Sequence, residues 1–103
     1  MKGGNSLETN NKRGCSLCDA TWGEYWSVVE NENRRFCCST CAFAFRNMVD
    51  EVKKRTGWPT IDRIEINGSN TTGRRCLATF RGGDFRFYVK FKDDGRIHDF
   101  HSL

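Results

Sequence analysis

The chain has 103 residues, a formal net charge of +4 and no apolar run near the roughly 20 residues that span a membrane. An apolar share of 37% supports one domain with a small core, which eight Phe, three Trp and two Tyr would fill largely with rings. The first residues, MKGGNSLETNNKRG, lack the apolar segment of a secretory signal. We therefore expect a reducing, cytoplasmic compartment, in which the six cysteines bind metal rather than form disulfides.

The front of the chain is predicted to hold a polar tail, a cysteine loop and a hairpin. Residues 1–13 bury too little apolar surface to offset the loss of chain entropy, so we expect them to be disordered. GCSLCD (14–19) follows as a compact loop. EYWSVVE (24–30) has strand composition and NENR (31–34) turn composition, which predicts a hairpin whose return strand contains Arg35 and Phe36.

A helix is predicted to begin near Ser39, with Ser39 or Thr40 as its cap. Cations at residues 53–55, then Gly57 and Pro59, predict its end. Apolar residues recur at helical spacing along one face, at Cys41, Phe45, Met48, Val49 and Val52.

The remainder is predicted to be a meander of three or four antiparallel strands that packs on this helix, which makes the fold class α+β. The strand segments are IDRIEI (61–66), RRCLATF (74–80), DFRFYVKF (84–91) and RIHDF (96–100). The third segment alternates apolar and polar residues, which predicts one buried face and one solvated face.

Five cysteines lie in the front half, where a tetrahedral metal ion needs four. Cys15 and Cys18 combine either with Cys37 and Cys41 after eighteen intervening residues, or with Cys38 and Cys41 after nineteen. Both spacings are typical of structural zinc sites. Because adjacent residues of an extended segment point in opposite directions, we expect one of Cys37 and Cys38 to bind and the other to pack or remain oxidisable.

The predicted order of cysteine loop, hairpin and helix is the plan of a treble-clef finger. The second cysteine pair would lie at a helix start, where unpaired N–H groups stabilise thiolates. The ion would join two segments that are too small to form a core alone.

RFCCSTCAFAF (35–45) resembles the second half of TRASH-type treble clefs, which are related to YHS modules. Phe36, Cys37, Cys41 and Phe45 match the pattern of that half, and GCSLCD matches the first half. The resemblance covers roughly residues 14–47 and implies Zn²⁺ as the ion and Cys37, rather than Cys38, as the ligand beside Cys41. The whole chain is also similar to a small archaeal family of proteins inferred to bind zinc, which implies no particular activity.

These observations predict one zinc-binding domain over residues 14–103, with a zinc module at 14–57 and the β-meander at 58–103. Four thiolates and one zinc dication carry −2, so the folded charge would be about +2. A nucleic-acid-binding domain usually has a stronger basic concentration than this.

The remaining candidate residues have simpler interpretations. Cys76 is in phase with Ala78 and Phe80, so we expect it to be buried. His98 and His101 would lie on opposite faces of a strand, which does not favour a shared metal site.

A second hypothesis is binding of RNA or DNA through basic and aromatic residues of the sheet and the hairpin. The candidate residues are Arg34, Arg35, Arg86, Tyr88, Lys90 and Lys92.

No nucleophile, base and carboxylate set and no phosphate-binding glycine loop is evident, so we expect a binding protein and not an enzyme. The leading hypothesis is a monomeric adaptor for protein or nucleic acid with a structural zinc ion, with no small-molecule substrate. The TRASH resemblance implies a third hypothesis, in which the protein senses or handles a soft metal such as Cu(I).

Overall fold

The computed structural model describes residues 8–9, 14–18, 23–30, 32–69 and 72–103. No helix in these ranges is long and apolar enough to cross a membrane. The fold is α+β, as predicted. Its elements in chain order are β1 (Glu8–Thr9), β2 (Tyr25–Val29), β3 (Glu32–Phe36), α1 (Ser39–Thr56), β4 (Arg63–Ser69), β5 (Gly73–Phe80), β6 (Gly83–Phe91) and β7 (Ile97–Ser102).

The predicted hairpin is formed by β2 and β3, which pair antiparallel. Its turn is tighter than predicted, because Val29 already pairs with Glu32 and residues 32–34 belong to β3. Glu30 takes a left-handed conformation, with a φ of 54°, as a two-residue hairpin turn requires. The turn prediction was therefore wrong for residues 32–34, which belong to the return strand, whereas residue 31 lies outside the described residues.

Helix α1 begins and ends close to the predicted positions. The cap prediction was wrong, because Ser39 and Thr40 both lie inside the helix and the N-cap is Cys38, with extended backbone (φ −163°, ψ 171°). At the other end, Gly57 adopts a φ of 77° and its N–H donates a hydrogen bond of 2.8 Å to the carbonyl of Lys53. This left-handed cap is the stop that the sequence predicted.

The second half forms a sheet of order β1-β4-β5-β6-β7, in which β4 to β7 are the predicted antiparallel meander. One strand was not predicted. Glu8 and Thr9, within the segment expected to be disordered, pair in parallel with Arg63 and Ile64, and Thr9 is buried. The rest of that segment, residues 1–7 and 10–13, lies outside the described residues.

One core joins the cysteine segment, the hairpin, the helix and the sheet. Phe36 of β3 meets Phe45 of α1 edge to face, with ring centroids 5.5 Å apart. The largest fully buried side chains come from all of these regions, and include Phe36, Phe45, Met48, Ile61, Ile64 and Phe87. A polar tie also crosses the junction, because Glu30 accepts hydrogen bonds of 2.9 Å from both Lys53 and Thr60.

Arg74 breaks the apolar pattern of the inner face of the sheet. It lies on β5 in phase with Cys76 and Ala78 and is only 2% exposed. Its guanidinium lies 6.0 Å from the centroid of the Phe91 ring, and its Nη1 has no hydrogen-bond partner among the described residues. A buried charge without a hydrogen-bonded counter-ion destabilises the folded state.

Replacing Arg74 with Met is therefore expected to raise the free energy of unfolding by about 1–3 kcal/mol. Arg75→Met is the matched control, because Arg75 lies exposed on the opposite face of the same strand, and a change within about 0.5 kcal/mol is expected there. Denaturant unfolding of both variants measures the difference. A loss of stability in Arg74→Met would show that a partner neutralises the guanidinium.

Candidate metal centre

The fold brings four cysteine sulfurs together. Sγ of Cys37 lies 3.7 Å from Sγ of Cys18 and 3.4 Å from Sγ of Cys41, and the sulfurs of Cys18 and Cys41 are 4.0 Å apart. With Cys15, these four sulfur atoms all lie within 4.8 Å of one another. The separations far exceed a disulfide bond of about 2.0 Å, and all of these cysteines are free thiols.

The spacing of the sulfurs fits a tetrahedral ion. Four thiolates at about 2.3 Å from a central zinc would be about 3.8 Å from one another. The three separations among Cys18, Cys37 and Cys41, from 3.4 to 4.0 Å, bracket that value. The donor set suits zinc and other thiophilic ions, because all four donors are sulfur.

Two short segments present these sulfurs. Cys15 and Cys18 come from the cysteine loop, which is tied to the hairpin by a hydrogen bond of 2.9 Å from the N–H of Ser16 to the carbonyl of Arg35. Cys37 follows β3, and Cys41 lies in the first turn of α1. The ring contact between Phe36 and Phe45, on either side of these two cysteines, therefore fixes the second pair.

Gly23 allows the hairpin to approach the centre closely. It has a φ of 73°, and a Cβ there would collide with the backbone carbonyl oxygen of Cys37. Sequence reasoning did not single out this glycine, since nothing in the linear order places it against a ligand. Its structural role is to let the entry to β2 lie directly on the backbone of Cys37.

The pKa values of three of these thiols show what a bound cation would change. The neighbouring Cys41 thiol, together with backbone N–H groups of the loop, lowers the pKa of Cys15 to about 4. Burial raises the pKa of Cys37 to about 12, and the interaction with Cys15, together with burial, raises the pKa of Cys41. One thiolate is thus stabilised at the expense of its neighbours, whereas a dication would stabilise all four.

Cys38 lies beside this cluster and outside the set of four. Its Sγ is 3.9 Å from Sγ of Cys37, and its side chain is half-buried. The nearby N–H of Cys41 lowers the pKa of Cys38, although that contact falls short of a capping hydrogen bond. The geometry therefore groups Cys37, and not Cys38, with the other three sulfurs.

The remaining cysteine and the histidines lie elsewhere. Cys76 is buried on the inner face of β5, as expected, and burial raises its pKa to about 12 against the opposing charge of Arg74. His98 and His101 are exposed, and the ring of His101 stacks on Tyr88 at 4.9 Å. Among the described residues, these side chains form no metal-ligating group with each other.

The six residues considered for nucleic-acid binding do not form one surface. Arg34 and Arg35 point to opposite faces of the hairpin, and Arg34 is buried, with its guanidinium 3.3 Å from Glu32. Arg86, Tyr88 and Lys90 share the outer face of β6, as the alternation predicted. Lys92 lies beyond the end of that strand.

The outer face of the sheet carries mixed charge. Within the part of the chain that the structure describes, four basic side chains project from it and three acidic ones lie among them, which leaves a small positive excess. Arg63 pairs with Glu65 at 3.3 Å, and Lys90 lies opposite Asp99. Registers between the strands place on this face Arg63, Glu65, Arg75, Asp84, Arg86, Lys90 and Asp99.

Apolar side chains that sequence reasoning placed in no site are exposed on the front half. Trp26 and Val28 lie on the outer face of the hairpin and are 51% and 59% exposed. Tyr25 and Phe43 are also exposed and line a cleft of about 390 Å³ between the hairpin and α1. The alternation of EYWSVVE places Trp26 and Val28 on one face of the strand, opposite Val29, and so could have indicated that they are exposed.

The fold and the site together define a class: an α+β protein whose front half holds a four-cysteine cluster able to bind a metal ion. The chain matches the model of the Ta0938 family over residues 12–103, and it belongs to that family. No curated protein and no solved structure matched the chain. The family match covers the cysteine cluster and the sheet alike, whereas the likeness to TRASH and YHS modules stays a prediction.

The geometry predicts different effects for the two adjacent cysteines. Cys37→Ser is expected to lose most of the bound metal, because it removes a vertex of the tetrahedron. Cys38→Ser should keep one ion per chain, and Cys76→Ala, remote from the cluster, serves as the control. Native mass spectrometry gives the stoichiometry. Metal retained in Cys37→Ser and lost in Cys38→Ser would contradict the assignment.

Proposed function

We propose that this protein is a zinc-stabilised binding module, in which Cys15, Cys18, Cys37 and Cys41 hold one structural Zn²⁺. The observation that carries the proposal is the separation of the sulfurs. All four lie within 4.8 Å of one another, and the three distances among Cys18, Cys37 and Cys41 are close to the edge of a tetrahedral four-thiolate site. Four thiolates would fill the positions of such an ion and leave none for a substrate. This supports a structural role and a binding protein in preference to an enzyme.

A structural role also fits the position of the site in the core. Cys15 is fully buried and Cys37 is 7% exposed, and both belong to the same core as Phe36 and Phe45. Without an ion, the buried thiols at this site would be poorly solvated, because neither water nor a cation would stabilise their charged form. The binding free energy of the ion therefore contributes directly to folding of the front half.

Metal removal tests this role. Excess of a strong zinc chelator at neutral pH is expected to unfold at least the front half, detected as a loss of near-ultraviolet circular dichroism from the aromatic core. Re-addition of Zn²⁺ should restore the signal. Rapid removal of the ion with the fold unchanged would contradict a structural role.

Metal handling is the second candidate function. It is supported by the half-buried positions of Cys18 and Cys41, which make one side of the cluster accessible, and by the fifth thiol at Cys38. This function predicts that Cu(I) displaces Zn²⁺ while the chain stays folded. The same dichroism measurement, made during titration with Cu(I), separates the two functions.

A protein partner is supported more strongly than a nucleic acid. The exposed Trp26 and Val28 offer apolar area on the zinc module, and apolar and aromatic side chains of this kind supply the anchors of protein interfaces. The mixed charge of the outer sheet face provides a weak attraction for phosphates.

Binding of single-stranded RNA and duplex DNA at low salt distinguishes these partners. The proposal predicts that no binding of RNA or DNA depends on Arg86. The matched variants are Arg86→Gln on the sheet and Lys54→Gln on the helix, which each remove one exposed cation. Salt-dependent binding that Arg86→Gln weakens and Lys54→Gln leaves unchanged would contradict the proposal and establish the sheet face as a nucleic-acid surface.

A further inference from the structure

The cluster contains one thiol more than a tetrahedral ion can bind. Cys38 is the N-cap of α1, and its sulfur lies 3.9 Å from that of Cys37 without joining the set of four. Its side chain is half-buried, as are those of Cys18 and Cys41, whereas Cys15, Cys37 and Cys76 are buried. An attacking solute can therefore reach Cys38, which a metal ion held by the other four would leave unprotected.

We propose that Cys38 is a site of oxidation by hydroperoxides, and that the product is a disulfide between Cys38 and Cys41 that expels the metal ion. This inference rests on the proposed metal site. The chain would then bind its ion while reduced and lose it when oxidised, so that the stability of the front half depends on the redox state.

The chemistry proceeds in two balanced steps. The Cys38 thiolate attacks one oxygen of the hydroperoxide, so that an S–O bond forms, the O–O bond breaks and an alcohol, or water from hydrogen peroxide, departs after protonation. The sulfur of Cys41 then attacks the sulfenic sulfur, so that an S–S bond forms and hydroxide leaves as water. Two thiols lose two electrons to the hydroperoxide, and the ion loses one of its four ligands.

Cys41 is the partner that the spacing along the chain favours. Cys38-Ser39-Thr40-Cys41 is a C-x-x-C sequence at the start of a helix, a spacing that forms and breaks disulfides in oxidoreductases. The sulfur of Cys37 lies 3.9 Å from that of Cys38, but a disulfide between adjacent residues closes an eight-membered ring and distorts the planar peptide between them. Loss of Cys41 also leaves Cys15, Cys18 and Cys37 with three thiolates and an incomplete tetrahedron.

The experiment starts from the zinc-loaded full chain, whose metal content is measured first. Hydrogen peroxide is added, released Zn²⁺ is followed with a chromogenic chelator, and disulfides are mapped by mass spectrometry of non-reduced peptides. We expect one Cys38–Cys41 disulfide for each ion released, and recovery of binding after treatment with a thiol reductant and Zn²⁺. Cys38→Ser should release zinc about tenfold more slowly, and Cys76→Ala at the rate of the unaltered chain.

Each result has one interpretation. If the starting chain holds no zinc, the proposed metal site is wrong. If it holds zinc and Cys38→Ser releases it as fast as the unaltered chain, the inference is overturned while the metal site stands. Mapping of the disulfides in the unaltered chain does not depend on whether a variant folds. A dominant disulfide that contains Cys37 or Cys18 would also overturn the inference.

Discussion

Four cysteine sulfurs lie within 4.8 Å of one another, and the structure of the front half depends on this arrangement. Thiols at this separation repel one another once ionised, and burial opposes their ionisation, as the raised pKa of Cys37 shows. A divalent cation would remove both costs at once. It would also fix the cysteine loop and the hairpin to the start of α1.

Helix α1 carries this constraint to the sheet. Its first turn supplies Cys41, while Phe45, Met48 and Val49 are fully buried in the core shared with the sheet. The tie from Glu30 to Lys53 and Thr60 joins the hairpin turn to both the end of the helix and the segment that leads into the sheet. In the zinc-bound form that we propose, loss of the ion would therefore affect the packing of the helix and the sheet as well as the front half. Metal binding, and in our inference redox state, would thus be linked to stability.

The elements that the sequence predicted well are those with strong local signals. The cysteine spacing, the stripe of α1 with its Gly57 stop, and the alternation of β6 each depend on near neighbours in the chain. Other features depend on contacts between distant segments and could not be predicted. The pairing of Thr9 with Ile64 and the approach of Gly23 to Cys37 are of this kind.

Two details, the burial of Arg74 and the choice between the adjacent cysteines, show what local sequence patterns could not predict. The alternation of RRCLATF placed Arg74 in phase with Cys76, but an arginine is normally assigned to the solvated face, so its burial is visible only in the fold. Spacing alone fitted Cys37 and Cys38 equally. The fold separates them, because the sulfur of Cys37 lies 3.7 Å from that of Cys18 and 3.4 Å from that of Cys41, whereas Cys38 is the N-cap of α1.

The proposed centre holds one zinc ion among four sulfurs. X-ray absorption spectroscopy at the zinc edge of the purified full chain reports the type, number and distance of the ligand atoms. We expect four sulfur neighbours at about 2.3 Å and no lighter ligand. A first shell that contains nitrogen or oxygen, or fewer than four sulfurs, would contradict it.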